Sequence, residues 1–559
     1  MIREGLGCLA LTVLTMLSGC GGGPSPAPTP LTPTLPARPT RAEAFQFLEQ
    51  ATFGPTESEI NDVISLGFEG WIDKQIEYPS SLQLPYLESL ERPNNLRQLQ
   101  DERVGIWFRN AIQEPDQLRQ RVAFSLSEIM VVSEIGALRD ATYSLADYYD
   151  MLSRNAYGNF RDLIEDVTLH PAMGVYLSML GNEKPNPKKN IRPDENYARE
   201  MMQLFTIGLV QLNIDGTEKL DSEGNPIPTF NQETVEGFAH VYTGWNYADA
   251  ASFGKAKRDD ANQVKAMQLY SSKHDQEPKM LLSGVTLPAG QSGTQDLKSA
   301  LDNVFQHSNI GPFIAKQLIQ RLVTSNPSPA YVARIASIFN DNGQGVRGDL
   351  GIVTKKILLD AEARPSLETN VSGKLKEPLL RVTQLWRAYN AETPNDDYRF
   401  YYCYSGGSCA NSLSAREPYI VFGQGPLQSP SVFNFFSPFY APSGTIQNSE
   451  FVAPEFQIAT EYQNTHLTNF LFSQIFLLNS QTPGLKNRDV YINIDEEILL
   501  AGNTTTLISK VADKLLAGSI SDTLRSRISV LLEQIPESNA EERAATAIYL
   551  IVSSPEFAR

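Results

Sequence analysis

Thr56-Glu57-Ser58-Glu59-Ile60-Asn61-Asp62-Val63-Ile64-Ser65-Leu66-Gly67 reads as a helix from its start signal to its stop signal. Thr56 with Glu59 three residues on forms a capping box, in which hydroxyl and carboxylate satisfy the first free N–H groups. Ile60, Val63, Ile64 and Leu66 follow on one face, and Gly67 supplies the left-handed residue that ends helices. The same grammar stands upstream, where Thr40 and Glu43 precede Ala44, Phe45, Phe47 and Leu48. Downstream, Pro115-Asp116 opens a long helix with Val122, Leu126, Ile129 and Met130 along one side. Helical patterns continue over 141–156, 195–210, 231–243, 309–324, 329–340, 347–361, 374–389, 452–478, 505–517, 520–533 and 539–552.

Strand-like patches are few: Met267–Tyr270, Met280–Leu287 and Val490–Ile492. The first two predict one small hairpin inserted between helices. The stretches 211–230, 246–262 and 390–415 are polar and rich in Gly, Asn, Asp and Ser, and read as long loops. The expected fold is mainly α: a large multi-helix domain with a small β-hairpin insertion and long polar loops. A chain of 559 residues is long for one core. Residues 41–559 are therefore expected to hold two or three subdomains sharing one body.

The amino terminus reads as an export signal. Arg3 precedes an apolar stretch from Leu6 to Leu17, shorter than the ~20 residues that span a bilayer. It ends in Leu17-Ser18-Gly19-Cys20, the pattern of a lipoprotein signal, in which the Cys20 thiol takes the lipid. Gly21 rather than Asp after the cysteine points to the outer membrane. Residues 21–40 alternate prolines with small residues and Thr, which favours an extended tether reaching about 60 Å at ~3.1 Å per residue.

The net charge of −17, without basic runs, argues against nucleic acid and against docking on anionic lipid headgroups. Lipid on Cys20 is therefore the expected membrane anchor. Cys403 and Cys409 flank Gly406-Gly407, and an exported protein meets an oxidising compartment, so a local disulfide is expected.

Signatures of common catalytic sites are absent: no Gly-x-Ser-x-Gly, His-Glu-x-x-His, phosphate loop or dinucleotide fingerprint. No metal or cofactor is nominated. The densest polar helix is Pro193–Gly208, where Glu195, Asn196, Arg199, Glu200 and Gln203 share a stripe opposite Tyr197, Met201, Leu204 and Phe205. Glu195 and Glu200 are candidate acid/base groups, with Arg199 and Asn196 as substrate-binding candidates; a buried network holding helices in register is the alternative. His274-Asp275 is a second candidate acid/base pair. His170 and His307 read as helix caps, and His240 as packing. The aromatic run Val432-Phe433-Asn434-Phe435-Phe436-Ser437-Pro438-Phe439-Tyr440 either stacks on sugar rings or anchors a loop in the core.

The chain resembles a bacterial family of large exported proteins of unknown function, numbered 1800. The resemblance is carried by Gln50–Thr56, Arg121–Ile129, Glu195–Glu200, Thr243-Gly244-Trp245, His274-Asp275, Val323–Pro327 and Pro430–Phe436. It implies an exported partner from a second family, numbered 1501, that looks like sulfatases and phosphatases. It also implies a departure: many relatives carry Glu and His where this chain has Gln203 and Phe205. With no catalytic signature standing alone, the leading expectation is a scaffold or partner-binding protein at the cell envelope. The alternative is an extracytoplasmic hydrolase acting on a polymer or glycan.

Overall fold

The computed structural model describes residues 38–92, 97–364, 373–393, 418–483 and 490–559. Cys20, Cys403 and Cys409, with the signal and most of the tether, lie outside the described residues. Both capping boxes form as the sequence dictates. Thr40 and Glu43 open the Arg41–Ala51 helix, and Thr56 and Glu59 open Glu57–Glu77. Gly67 stands at φ 74°, so that second element is two helical segments meeting at the glycine. Glu59 serves twice, because its carboxylate also meets the Arg387 guanidinium at 2.6 Å. Arg387 donates as well to the carbonyls of Gly54 and Ile112, fastening the Pro378–Ala388 helix to the amino-terminal helices.

The described residues are mainly helical, as expected, with two small two-stranded sheets. Pro39–Arg559 form one compact unit, and a single cluster of buried apolar side chains runs through it from Ala44 to Phe557. Glu461–Phe476, Asp495–Leu500, Thr504–Leu515, Asp522–Leu532 and Ala540–Val552 pack as a carboxy-terminal bundle around the last of these helices. No described helix is long and apolar enough to cross a membrane.

The expected hairpin is corrected. Gln268–Leu269 pairs antiparallel with Trp245–Asn246, whereas Lys279–Met280 pairs with Thr286–Leu287. Ser283 (φ 59°) and Gly284 (φ 73°) make the tight turn of the second pair. The segment between the two patches is drawn inward instead, because His274 and Asp275 are buried in ion pairs. Gly237 lies where the Gln232–Val241 helix crosses this second pair. A Cβ there would stand 1.8 Å from the Met280 carbonyl oxygen, so only glycine permits the contact.

Other boundaries moved for local reasons. The helix expected over 452–478 is Glu461–Phe476, because Pro454 begins a separate 3-10 turn and Thr460 caps the helix. Arg97–Gln113 and Gly293–Phe305 are additional helices. The stretch 209–229 folds back on itself through isolated bridges, Val210 to Pro228, Leu212 to Glu218 and Leu220 to Pro226. The helix at 195–210 is α-helical only over Asn196–Glu200; Met201–Thr206 widens into a π turn. The Thr206 hydroxyl and the Ile207 N–H both reach carbonyls five residues back, at 2.6 and 3.0 Å.

Candidate functional site

The residues singled out by sequence are divided among different surroundings. Glu195 is half-buried at the surface and pairs with Arg199 at 3.0 Å. Gln232 donates to Glu195 and to Glu236, extending a polar strip along two helices. Asn196 is exposed. Glu200 is buried, one carboxylate oxygen has no hydrogen-bond partner, and burial raises its pKa against the opposing pull of Arg199. The π turn shifts Gln203 off the expected stripe, because a five-residue turn breaks the i, i+4 register.

His274 is 1% exposed, with Nδ1 at 2.9 Å from the Thr243 carbonyl and Nε2 at 2.9 Å from Asp296. Asp296 also binds Lys279 at 2.8 Å, so the three form a buried ionic knot. Both nitrogens are spent, which leaves none for proton transfer to a substrate. Asp275 instead pairs with Nδ1 of His240, the histidine expected to be packing. Burial opposes the charge on Asp275, yet the His240 contact and the Glu277 N–H hold its pKa down at about 2. The Thr243 hydroxyl ties the region together, donating to the His240 carbonyl and accepting from the Asp275 N–H. His170 and His307 cap the backbone N–H groups of Ala172 and Asn309, as their positions predict.

A cleft of about 560 Å³ opens elsewhere, where several segments meet. Glu128 and Ile129 enter from the end of the Gln117–Ser127 helix. Gln203, Leu204 and Ile207 enter from the π turn. Phe313, Lys316, Gln317, Gln320 and Arg321 line it from the Ile310–Leu322 helix, and Val432–Phe439 complete the wall. Glu218, on the folded-back arm, also lines it. Asn309 locks the arm in place: its amide donates to the carbonyls of Ile207 and Val210 and accepts from the Leu212 N–H. Gly208, at φ 74°, lets the π turn close on Phe313, since a Cβ would lie 2.9 Å from the ring. Phe433 and Phe439 are 57% and 66% exposed, and with Leu209 they give the cleft an apolar rim.

The floor is polar and buried. Glu128 is 2% exposed; one oxygen accepts from Gln424 at 3.2 Å, and the other stands 3.7 Å from Arg321 Nε without a hydrogen bond. Gln424 also donates to Glu377 at 2.6 Å, so one amide bridges two carboxyl groups. Lys374 binds Glu377 at 2.9 Å and Glu455 at 2.6 Å. Burial, reinforced by the charge on Glu377, pushes the Glu128 pKa up to about 8 despite Arg321, Lys374 and Arg121. Glu377 goes the other way: burial alone would raise it, but Lys374 and Arg121 hold it at about 2. Burial thus favours the protonated form of Glu128, while the neighbouring cations favour the ionised form of Glu377. Arg321 donates to the Glu128 carbonyl and to Gln317, and Arg121 donates to the Arg321 carbonyl, which fixes the two helix ends together.

Asn434 contributes a further polar atom. It is 6% exposed, adopts φ 65°, and its Nδ2 has no hydrogen-bond partner. A non-glycine residue in this strained conformation recurs at binding sites. Among the described residues no three His, Cys, Asp or Glu side chains converge as metal ligands. The aromatic run and Gln203 were singled out in the sequence, but the remaining polar cleft residues were visible only as interruptions on apolar helix faces. Glu128, Gln317, Gln320 and Arg321 all sit among core positions.

The chain belongs to the family described as "Protein of unknown function (DUF1800)", whose model matches residues 46–559. Two segments that carry the resemblance, 121–129 and 430–436, contribute to the cleft walls, whereas 195–200 does not line the cleft. The departure noted above falls in this region too: Gln203 lines the cleft, whereas Phe205 is packed in the core. No curated protein and no solved structure matches the chain.

Proposed function

We propose that this member of the family is an exported, lipid-anchored binding protein of the cell envelope, and that the aromatic-rimmed cleft is its recognition site. The observation that carries the reading is a largely apolar cleft with a few convergent polar groups and one strongly perturbed carboxyl group. That combination is the general mark of a ligand site. Lipid on Cys20 places the body at the outer membrane, and the tether lets the cleft sample the space around it. An exported sulfatase-like or phosphatase-like partner, implied by the family resemblance, would meet the body in the same compartment.

The test uses Gln203→Trp, which fills the cleft from the π turn. Wild type and variant are incubated with an envelope extract, and the small molecules each retains are identified by mass spectrometry. The wild type is expected to enrich a species that the correctly folded variant does not. Equal retention by both would remove the cleft from the function.

One observation favours a second reading, hydrolysis of a glycan or polymer. A general acid must hold its proton at working pH, and Glu128 does so with a pKa of about 8. Glu218 supplies another carboxyl group on the same cleft wall. A polymer-substrate screen decides: turnover that Glu128→Gln lowers at least ~100-fold, with binding kept, supports it.

A further inference from the structure

Resting on the reading of the cleft as a binding site, we infer that its ligand is a small carboxylate with an apolar, ring-bearing body. Besides the carboxyl groups of Glu128 and Glu218, the cleft wall holds three unspent donors. Asn434 Nδ2 is buried and unpartnered, as is Arg321 Nε, which stands beyond hydrogen-bond length from Glu128. Lys316 lines the same wall without an ion pair among the described residues; the Glu218 carboxylate favours its charge, burial opposes it, and the Phe439 ring lies 5.9 Å from the ammonium. Amide N–H, guanidinium N–H and ammonium groups donate and do not accept. The ligand group that meets them must therefore be rich in acceptors. A carboxylate matches two positively charged donors better than an alcohol or ester, and charged hydrogen bonds are the stronger kind.

The remaining wall dictates the rest of the molecule. Phe313, Leu204, Ile207, Val432 and Phe436 are apolar, and Phe433 and Phe439 are exposed at the rim, where a ring can lie against them. Glu128 decides when an anion is tolerated. It is faced by Arg121 from within the preceding Gln117–Ser127 helix, by Arg321 from the Ile310–Leu322 helix, and by Lys374 and Glu377 from the segment entering Pro378–Ala388. Protonated, Glu128 adds no negative charge beside Lys316 and Arg321, and its O–H is one more donor. Ionised, it repels the carboxylate and competes for Arg321. Binding is thus expected between the ligand's own carboxyl pKa and that of Glu128, and to fall as pH rises through about 8.

The experiment titrates the full-length chain in detergent with phenylbutyrate and with its neutral counterpart phenylbutanol, by calorimetry. At pH 6 the carboxylate is expected to bind at least ~10-fold more tightly, the worth of one charged hydrogen bond. Lys316→Met and Asn434→Ala are each expected to remove most of that preference, weakening the carboxylate far more than the alcohol. Glu128→Gln is expected to keep carboxylate binding and to move its loss above pH 8 to higher pH, where Lys316, its pKa lowered by burial, gives up its charge. If the alcohol binds as well as the carboxylate, the inference fails while the cleft remains a binding site. If Gln203→Trp binds phenylbutyrate as well as wild type does, or neither compound binds at all, the cleft reading and the inference fail together.

Discussion

Replacing Glu128 by Gln is expected to stabilise the protein at alkaline pH and to change it little under acid conditions. In the folded chain Glu128 keeps its proton up to about pH 8, whereas an unfolded glutamate releases it near 4.5. The folded state therefore binds more protons than the unfolded state across that interval. Wild-type stability falls as pH rises from about 4.5 to about 8, and this contribution is flat above. Taken alone, the gap corresponds to about 5 kcal/mol. Glu377 shares Gln424 with Glu128 and is held ionised by Lys374 and Arg121, so the carboxyl pair titrates jointly and part of the gap belongs to the pair. An expected gain of about 2–4 kcal/mol for Glu128→Gln at pH 9, against less than ~1 at pH 5, follows. Thermal midpoints of wild type and variant at pH 5, 7 and 9 measure it. A difference that does not grow with pH, or a variant less stable than wild type at pH 9, would show that Glu128 is ionised and well paired in the native state. The charge argument for the cleft would then collapse.

Asp275→Asn is expected to cost about 2 kcal/mol, because it removes the charge that His240 and the Glu277 N–H stabilise. The Asp275 contribution is present above the ordinary aspartate pKa of 3.8 and lost as pH falls through about 2. Denaturation of wild type and Asp275→Asn should therefore converge at low pH, and curves that stay parallel down to pH 2 would rule this out. Gly237→Ala should destabilise by about 3 kcal/mol or more, since its new methyl collides with the Met280 carbonyl; an unchanged thermal midpoint would mean the helix and strand pair are not packed as described. Cys20→Ser should leave the protein in the soluble fraction after high-speed centrifugation, and a variant that still sediments with membranes must have another membrane contact.

The legible parts of this fold were those that obey local rules. Capping boxes at Thr40 and Thr56, and the stop at Gly67, depend on a few neighbouring residues, and the structure reproduces them. The π turn was not legible, since its pattern of Met201, Met202, Leu204 and Phe205 fits an ordinary helix as well. It is nevertheless what turns Gln203 into the cleft. Strand pairing was misread for a related reason: Met267–Tyr270 and Met280–Leu287 each look like half a hairpin, but pairing is decided by tertiary contacts that bury His274 and Asp275 between them. The polar stripe and the His-Asp dipeptide drew attention because reactive residues lie close together in sequence. In space, closeness in sequence counted for little.

Glu128, Arg321, Glu377, Gln424 and Asn434 come from distant stretches, and each looks ordinary in its own. Their assembly has a physical logic that packing alone would not require. A purely structural tie between the helix ends would match every donor with an acceptor, because unpaired buried groups cost stability. Here matching extends behind Glu377, where Lys374, Gln424 and Glu455 interlock, although the Nε of Arg121 is left unpaired. It fails on the side that faces the cleft, at Glu128, Arg321 Nε and Asn434 Nδ2. The rear of the network thus fixes the geometry of its front, while the front keeps its hydrogen-bonding capacity unspent. That asymmetry is what a preorganised recognition site needs, and it is why the cleft, rather than the more conspicuous His274-Asp275 region, carries the functional reading.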